Sequence, residues 1–272
     1  MPFRKETVEA TATTMVWPRI FFTILFLIAY ALALMGLWRP LRLSDWPVAV
    51  LLLLAVKSTI AALARRLPLQ NVLFATFLIG IAGGVADWLD LKTGIPFGPF
   101  APGHNAGPKL FHALPWALPV IWVVAILNSR EVARLILRPW RKYHGYGFWL
   151  IYVTTVLTAL FDLALDPFAS RVKQYWFWGP TRFPLTWQGA PVTNFFGWAV
   201  MTLLILAFIT PMLIIKHPTH RRPPDFHPLT VWLGGVLLFG VATALNGLWT
   251  ATAADAAIGI VTAVFAVRGA RW

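Results

Sequence analysis

A chain of 272 residues that is 58% hydrophobic and only 12% charged, with a mean hydropathy of +0.69, is too apolar for a soluble domain and is built for a bilayer. With no cysteine it has no disulfide, no thiolate metal site and no thiol nucleophile, so its chemistry rests on oxygen and imidazole groups. The formal charge of +13 comes from cations set between apolar segments rather than gathered in one basic patch, which excludes a nucleic-acid surface and favours anionic lipid headgroups.

Residues 1–16 are polar and mixed in charge and lack the apolar core of a signal peptide, so they read as a cytoplasmic tail ahead of a single transmembrane helical domain over 17–272. About eight apolar segments follow, each near the ~20 residues that cross the hydrocarbon layer. They fall near Trp17–Leu37, Trp46–Ala64, Asn71–Leu91, Leu114–Asn128, Tyr146–Asp166, Asn194–Ile215, Leu229–Leu248 and Ala251–Val267. Ser44-Asp45 before Pro47 reads as a cap, and Pro18, Pro115 and Pro228 suit first turns, where an N–H has no helical partner anyway. Gly80 and Gly84 have the small-xxx-small spacing of close helix packing. Lys57, inside the second segment, reads as a snorkelling side chain. The expected fold is all-α, a polytopic transmembrane helix bundle.

Counting Lys and Arg on alternate sides puts fifteen on one side and seven on the other. The basic excess stays cytoplasmic, so both termini are expected inside and the long loops near 92–113 and 167–193 outside, in a multi-pass protein of a bacterial or archaeal cell membrane. The acids run the other way. Asp45, Asp87, Asp90, Asp162, Asp166 and Asp255 all fall at or beside external span ends, a clustering that topology rules do not explain. The segment HPTHRRPPDFHP holds His217, His220 and His227 without a common helical face, so no metal site is expected. His104 and His112 lie in the first external loop, and no phosphate loop or dinucleotide fingerprint is present.

Two stretches carry the chemistry. The first runs Asp87-Trp-Leu-Asp90-Leu-Lys-Thr93-Gly94-Ile-Pro96-Phe97-Gly98-Pro-Phe100. The second, Phe161 to Trp198, holds Asp162, Asp166-Pro167, Trp176-Phe177-Trp178 and Gly189-Ala-Pro191-Val-Thr-Asn194-Phe-Phe-Gly197-Trp198. Together they resemble the carotenoid 1,2-hydratase or bisanhydrobacterioruberin hydratase family. In the first motif Asp87 takes the acid position where Glu is more usual, Asp90 stands where glycine is expected and Phe100 where tyrosine is expected. The resemblance implies a membrane lyase of carotenoid biosynthesis that adds water across the terminal 1,2 double bond of an acyclic end group to form a tertiary alcohol. It implies an acyclic carotenoid, water and the lipid bilayer as partners, no cofactor, and leaves room for a homo-oligomer or contact with other carotenoid enzymes.

The residues fit such chemistry on their own terms. Hydrating an isolated alkene needs a carboxylic acid that keeps its proton until it acts, which a low-dielectric site favours, and a second carboxylate nearby to serve as base or cation stabiliser. Asp162 and Asp166 are four apart and Asp87 and Asp90 three apart, the spacings of one helix face. The expected catalytic set is Asp162 as proton donor assisted by Asp87, with Asp166 and Asn194 positioning water. Trp176, Trp178, Trp198, Thr93 and Phe97 are expected to position substrate, the aromatic faces stabilising a cation. Plainer readings exist for each. Pro167 disfavours helix at Asp166, which could cap a short interfacial helix over Pro167–Phe177; Asp162 could pair with Arg171 or Lys173, Asp90 with Lys92; Asn194 could cap the sixth span and Asp255 start the eighth. Intramembrane acids also mark proton-coupled transporters, and a non-catalytic pigment-binding subunit would use the same aromatic cleft.

Overall fold

The computed structural model describes residues 24–35, 46–181, 183, 185–214 and 224–272. The tail over 1–16, Pro18, the Ser44-Asp45 cap, Arg39, Arg42, Arg182, His217 and His220 lie outside the described residues. Among the described residues eight helices follow in order: α1 (Ile24–Met35), α2 (Trp46–Ala64), α3 (Leu69–Thr93), α4 (Ala117–Ile136), α5 (Tyr146–Asp166), α6 (Val192–Ile209), α7 (His227–Leu245) and α8 (Trp249–Ala270). α2, α3, α5, α6, α7 and α8 are long and apolar enough to cross a membrane, so the chain is an all-α polytopic bundle and an integral membrane protein.

The other long helix, α4, has a different task. It packs against α2, α3, α5, α7 and α8 and is buried almost without interruption from Trp122 to Leu135. Its polar residues therefore meet protein rather than lipid. Asn128 exchanges hydrogen bonds with Thr59, and Trp232 Nε1 donates to Ser129 Oγ at 3.0 Å. The expected end at Asn128 is thus corrected, because Arg130, Glu131 and Arg134 are not loop charges. Glu131 accepts from Arg130 at 3.0 Å and from Arg134 at 3.0 and 3.1 Å, and Arg130 also donates to the Leu213 carbonyl at 2.8 Å. Mutual pairing lets the helix run two further turns inside the bundle. Arg66 joins this group at 3.8 Å from Glu131, and Arg65 and Arg66 both reach Asp225. The start is corrected too: Pro115 lies in a short strand, and Pro119 stands in the first turn of α4.

Close approach of α3 to α4 depends on glycine. A Cβ on Gly84 would stand 2.9 Å from Pro119, and one on Gly83 would stand 2.3 Å from the Trp122 ring. The limits expected for the first span lie outside the described residues, and those of α2, α3, α5, α7 and α8 are met to within a turn, with α6 closing in a 3-10 turn over Thr210–Leu213.

Opposite the arginine cluster, the long loops are ordered by short antiparallel ladders. β1 (Phe100–Pro102) follows α3; β2 (Lys109–Leu110) pairs with β3 (Leu114–Pro115) in a small hairpin; β4 (Trp176–Trp178) pairs back with β1; and β5 (Thr186–Trp187) pairs with β6 (Ala190–Pro191). The β1–β4 register sets Phe100 opposite Trp178 and Pro102 opposite Trp176, so the two informative stretches are joined as one surface. The expected interfacial helix capped by Asp166 is not what forms. Asp166 keeps helical geometry at φ −62 and ψ −45, and α5 widens into a buried π turn over Pro167–Val172. Pro167 has no N–H to donate, Ser170 Oγ satisfies the Asp166 carbonyl at 2.8 Å, and Lys173 N bonds Phe168 O across five residues.

Candidate active site

Four helices and one ladder converge on a cavity of about 20 Å³, room for roughly one water. α3 brings Asp87, α5 brings Asp162 and Asp166, α6 brings Asn194 and Trp198, and the β1–β4 ladder brings Phe100, Trp176 and Trp178; Phe97 and Leu118 complete the wall. Asp87, Asp162, Asp166 and Asn194 are each no more than 4% exposed. Three carboxyl groups thus face one small volume with almost no access to bulk water.

Their partners differ, and the difference assigns work. Asp162 Oδ2 accepts from Asn194 Nδ2 at 2.7 Å. Asn194 is the third residue of α6 and makes no side-chain cap, so its amide serves Asp162. Arg171 does not pair with Asp162; its Nε donates to the Gln188 carbonyl at 2.6 Å. Asp166 is a hub: Oδ1 accepts from Trp176 Nε1 at 2.9 Å and Trp178 Nε1 at 3.0 Å, while Oδ2 accepts from Trp178 Nε1 at 3.2 Å and Ser170 Oγ at 3.3 Å. These bonds explain why α5 continues past the expected stop, since the π turn aims Asp166 at the indoles of β4. Asp87 Oδ2 accepts from Trp122 Nε1 at 3.0 Å.

Trp122 is the residue that sequence reasoning missed. Fully buried, it stacks on Trp198 with ring centroids 3.6 Å apart and planes 13° from parallel, and Phe97 lies 5.9 Å from it. A tryptophan well inside a span, away from the headgroup belts, was the available signal.

The two motifs are two halves of one contact. Asp90 does not pair with Lys92; its Oδ1 accepts from Phe97 N at 2.8 Å and Gly98 N at 3.2 Å, which turns the loop back and seats the Phe97 ring. Thr193 Oγ1 donates to the Phe97 carbonyl at 3.0 Å, and a Cβ on Gly197 would stand 2.6 Å from that ring. Thr93 lies outside the cavity. Its exposed hydroxyl donates to the Leu89 carbonyl at 2.8 Å and accepts from Ile95 N at 3.2 Å, so it holds the end of α3 instead of a substrate. Asp255, a turn and a half into α8, faces Thr243 and Gly240 of α7 and takes no part in this cavity.

Chemically, the cavity offers one acid held by an amide, one acid held by three donors and a third held by an indole, all beside aromatic faces. That set can move protons around a single water and can face a positive charge with π clouds.

The profile of a family described as "Carotenoid biosynthesis protein" matches residues 47–264. A relative from Haloarcula japonica, a bisanhydrobacterioruberin hydratase, is 31% identical over 134 residues, which is 49% of this chain. The matched part covers 41% of that relative's length. No solved structure matches.

Proposed function

Because the chain belongs to the carotenoid biosynthesis protein family, we propose that it is a hydratase that adds water across the terminal 1,2 double bond of an acyclic carotenoid. The observation that carries this reading is the gathering of Asp87, Asp162, Asp166 and Asn194 around a cavity sized for one water and walled by aromatic rings. Asp162 delivers its proton to C2 of the end group, leaving a tertiary cation at C1. The faces of Trp176, Trp178 and Trp198 stabilise that cation through their quadrupoles. Water attacks C1 and passes a proton to Asp166, completing the tertiary alcohol; transfer from Asp166 to Asp162, one helical turn away, restores the starting state. Asn194 orients Asp162 through the 2.7 Å bond, and Asp87, fixed by Trp122, supports the charge balance across the cavity. The strand-bearing end is assigned to the external side of a bacterial or archaeal cell membrane, with both termini cytoplasmic, which keeps the reacting end near water.

Expression in a lycopene-producing host tests the reading. Pigments heavier by one or two waters and carrying tertiary hydroxyls are the expected outcome. Unchanged lycopene that co-purifies with the protein would instead indicate a pigment-binding subunit, and neither product nor bound pigment would return the acids to a transport role.

A further inference from the structure

We infer that a second, larger cleft beside the acid cavity is the seat of the polyene chain, and that Leu118 is the movable wall through which the reacting end passes. This rests on the hydratase reading for its substrate, an acyclic polyene of the carotenoid class, but on separate geometry for its place. The cleft has a volume of about 630 Å³ and lies between α2, α4, α5 and α7, from the Asn105–Pro108 loop down to Val124 and Phe239. Its lining is overwhelmingly apolar. At 1.5 Å per residue, the six steps from Leu118 to Val124 span about 9 Å along α4, so the cleft leads inward from the strand-bearing end toward the middle of the bundle.

Continuity decides the occupant. Leu118 and Trp176 line both the cleft and the acid cavity, one face toward each. A cavity with room for one water cannot admit a branched alkene end as it stands, so one of these walls must yield. Trp176 is held by its bond to Asp166 at 2.9 Å and by strand pairing opposite Pro102. Leu118, in the first turn of α4, has no polar side-chain atom to be held by a hydrogen bond and has rotatable χ angles. Asp162 and Asp166 sit on the cavity side of α5 while Phe161 and Leu165 line the cleft, so a chain lying there runs past the same turns that carry the acids. A further apolar groove of about 690 Å³, between α3 and the β2–β3 hairpin under Phe111, shares no residue with the acid cavity and is not the seat.

The test uses the full-length protein purified in detergent from a lycopene-producing host, reading bound pigment by absorbance and hydrated product by mass spectrometry. Ala49→Trp, which fills the cleft from α2, is expected to lower bound pigment and product together. Leu118→Trp, which blocks the passage, is expected to leave pigment bound while product falls about 100-fold, the scale of a misplaced reacting group. Phe111→Ala, in the separate groove, is expected to change neither. Leu118→Phe carries the same test with a smaller loss if the larger ring prevents assembly. Normal product from both Leu118 variants, or full pigment retention in Ala49→Trp, would overturn the inference while leaving hydration by the wild type intact. If the wild type makes no hydrated product, the hydratase reading fails, and pigment retention in Ala49→Trp alone decides the cleft: loss supports it and retention overturns it.

Discussion

Asp162 and Asp166 share a helix face and a cavity, yet replacing each by asparagine is expected to do opposite things. Asp162 accepts one hydrogen bond, from Asn194 Nδ2 at 2.7 Å. An asparagine at 162 keeps an amide oxygen for that donor, so stability should change by less than about 1 kcal/mol. What disappears is the transferable proton. General acid catalysis is worth about 10²–10⁴-fold, or roughly 3–5 kcal/mol of barrier, and product formation should fall by that factor. Asp166 accepts from Trp176, Trp178 and Ser170. An asparagine there retains one acceptor oxygen and turns an NH2 toward donors, losing one or two bonds at about 1.5–3 kcal/mol for charged partners. Asp166→Asn should therefore destabilise the fold by about 2–4 kcal/mol and loosen β4, as well as slow turnover. Thermal melts in detergent, read from tryptophan fluorescence, measure the first quantity, and hydrated pigment per folded protein measures the second. Near-normal turnover in Asp162→Asn would remove it as donor and pass that role to Asp87. A wild-type melt for Asp166→Asn would refute the hub.

Trp122→Phe removes the N–H that Asp87 Oδ2 accepts and should cost about 1–3 kcal/mol while keeping the ring stack on Trp198; an unchanged melt would mean that bond carries no weight. Gly83→Ala places a methyl into the Trp122 ring and should destabilise by about 1–3 kcal/mol through overpacking, measured in the same assay. Glu131→Gln leaves buried Arg130 and part-buried Arg134 facing each other without their shared carboxylate, and a loss of about 3–5 kcal/mol is expected, with turnover per folded molecule preserved. Reporter fusions after Trp272 and within the loop at Gly103 should report opposite sides of the membrane; the same side for both would displace the proposed external site.

Hydropathy is a property of each residue in its own window, so the spans could be read from the chain alone. Trp46–Ala64 and Tyr146–Asp166 appear as expected to the residue, and α3, α7 and α8 differ only at their ends. The acids were legible for the same reason: a carboxylate flanked by Phe161 and Leu163 inside an apolar run has no inexpensive explanation in lipid. Partner choice was not legible, because it depends on which segments tertiary packing brings alongside. Asp166 finds its donors ten and twelve residues onward only because β4 pairs with β1, and Asp162 finds Asn194 only because α5 lies against α6. The run Arg130-Glu131-Arg134 looks like a loop when charge is counted along the chain, and becomes helix once α2, α3, α5, α7 and α8 keep lipid away and the charges neutralise one another. Leu118 carries no local mark of function at all, and Trp122 only the mark of a tryptophan well inside a span. Their importance comes from position on the helix that tertiary packing places at the centre, where one residue lines both the cleft and the acid cavity and the other holds an acid by its ring nitrogen.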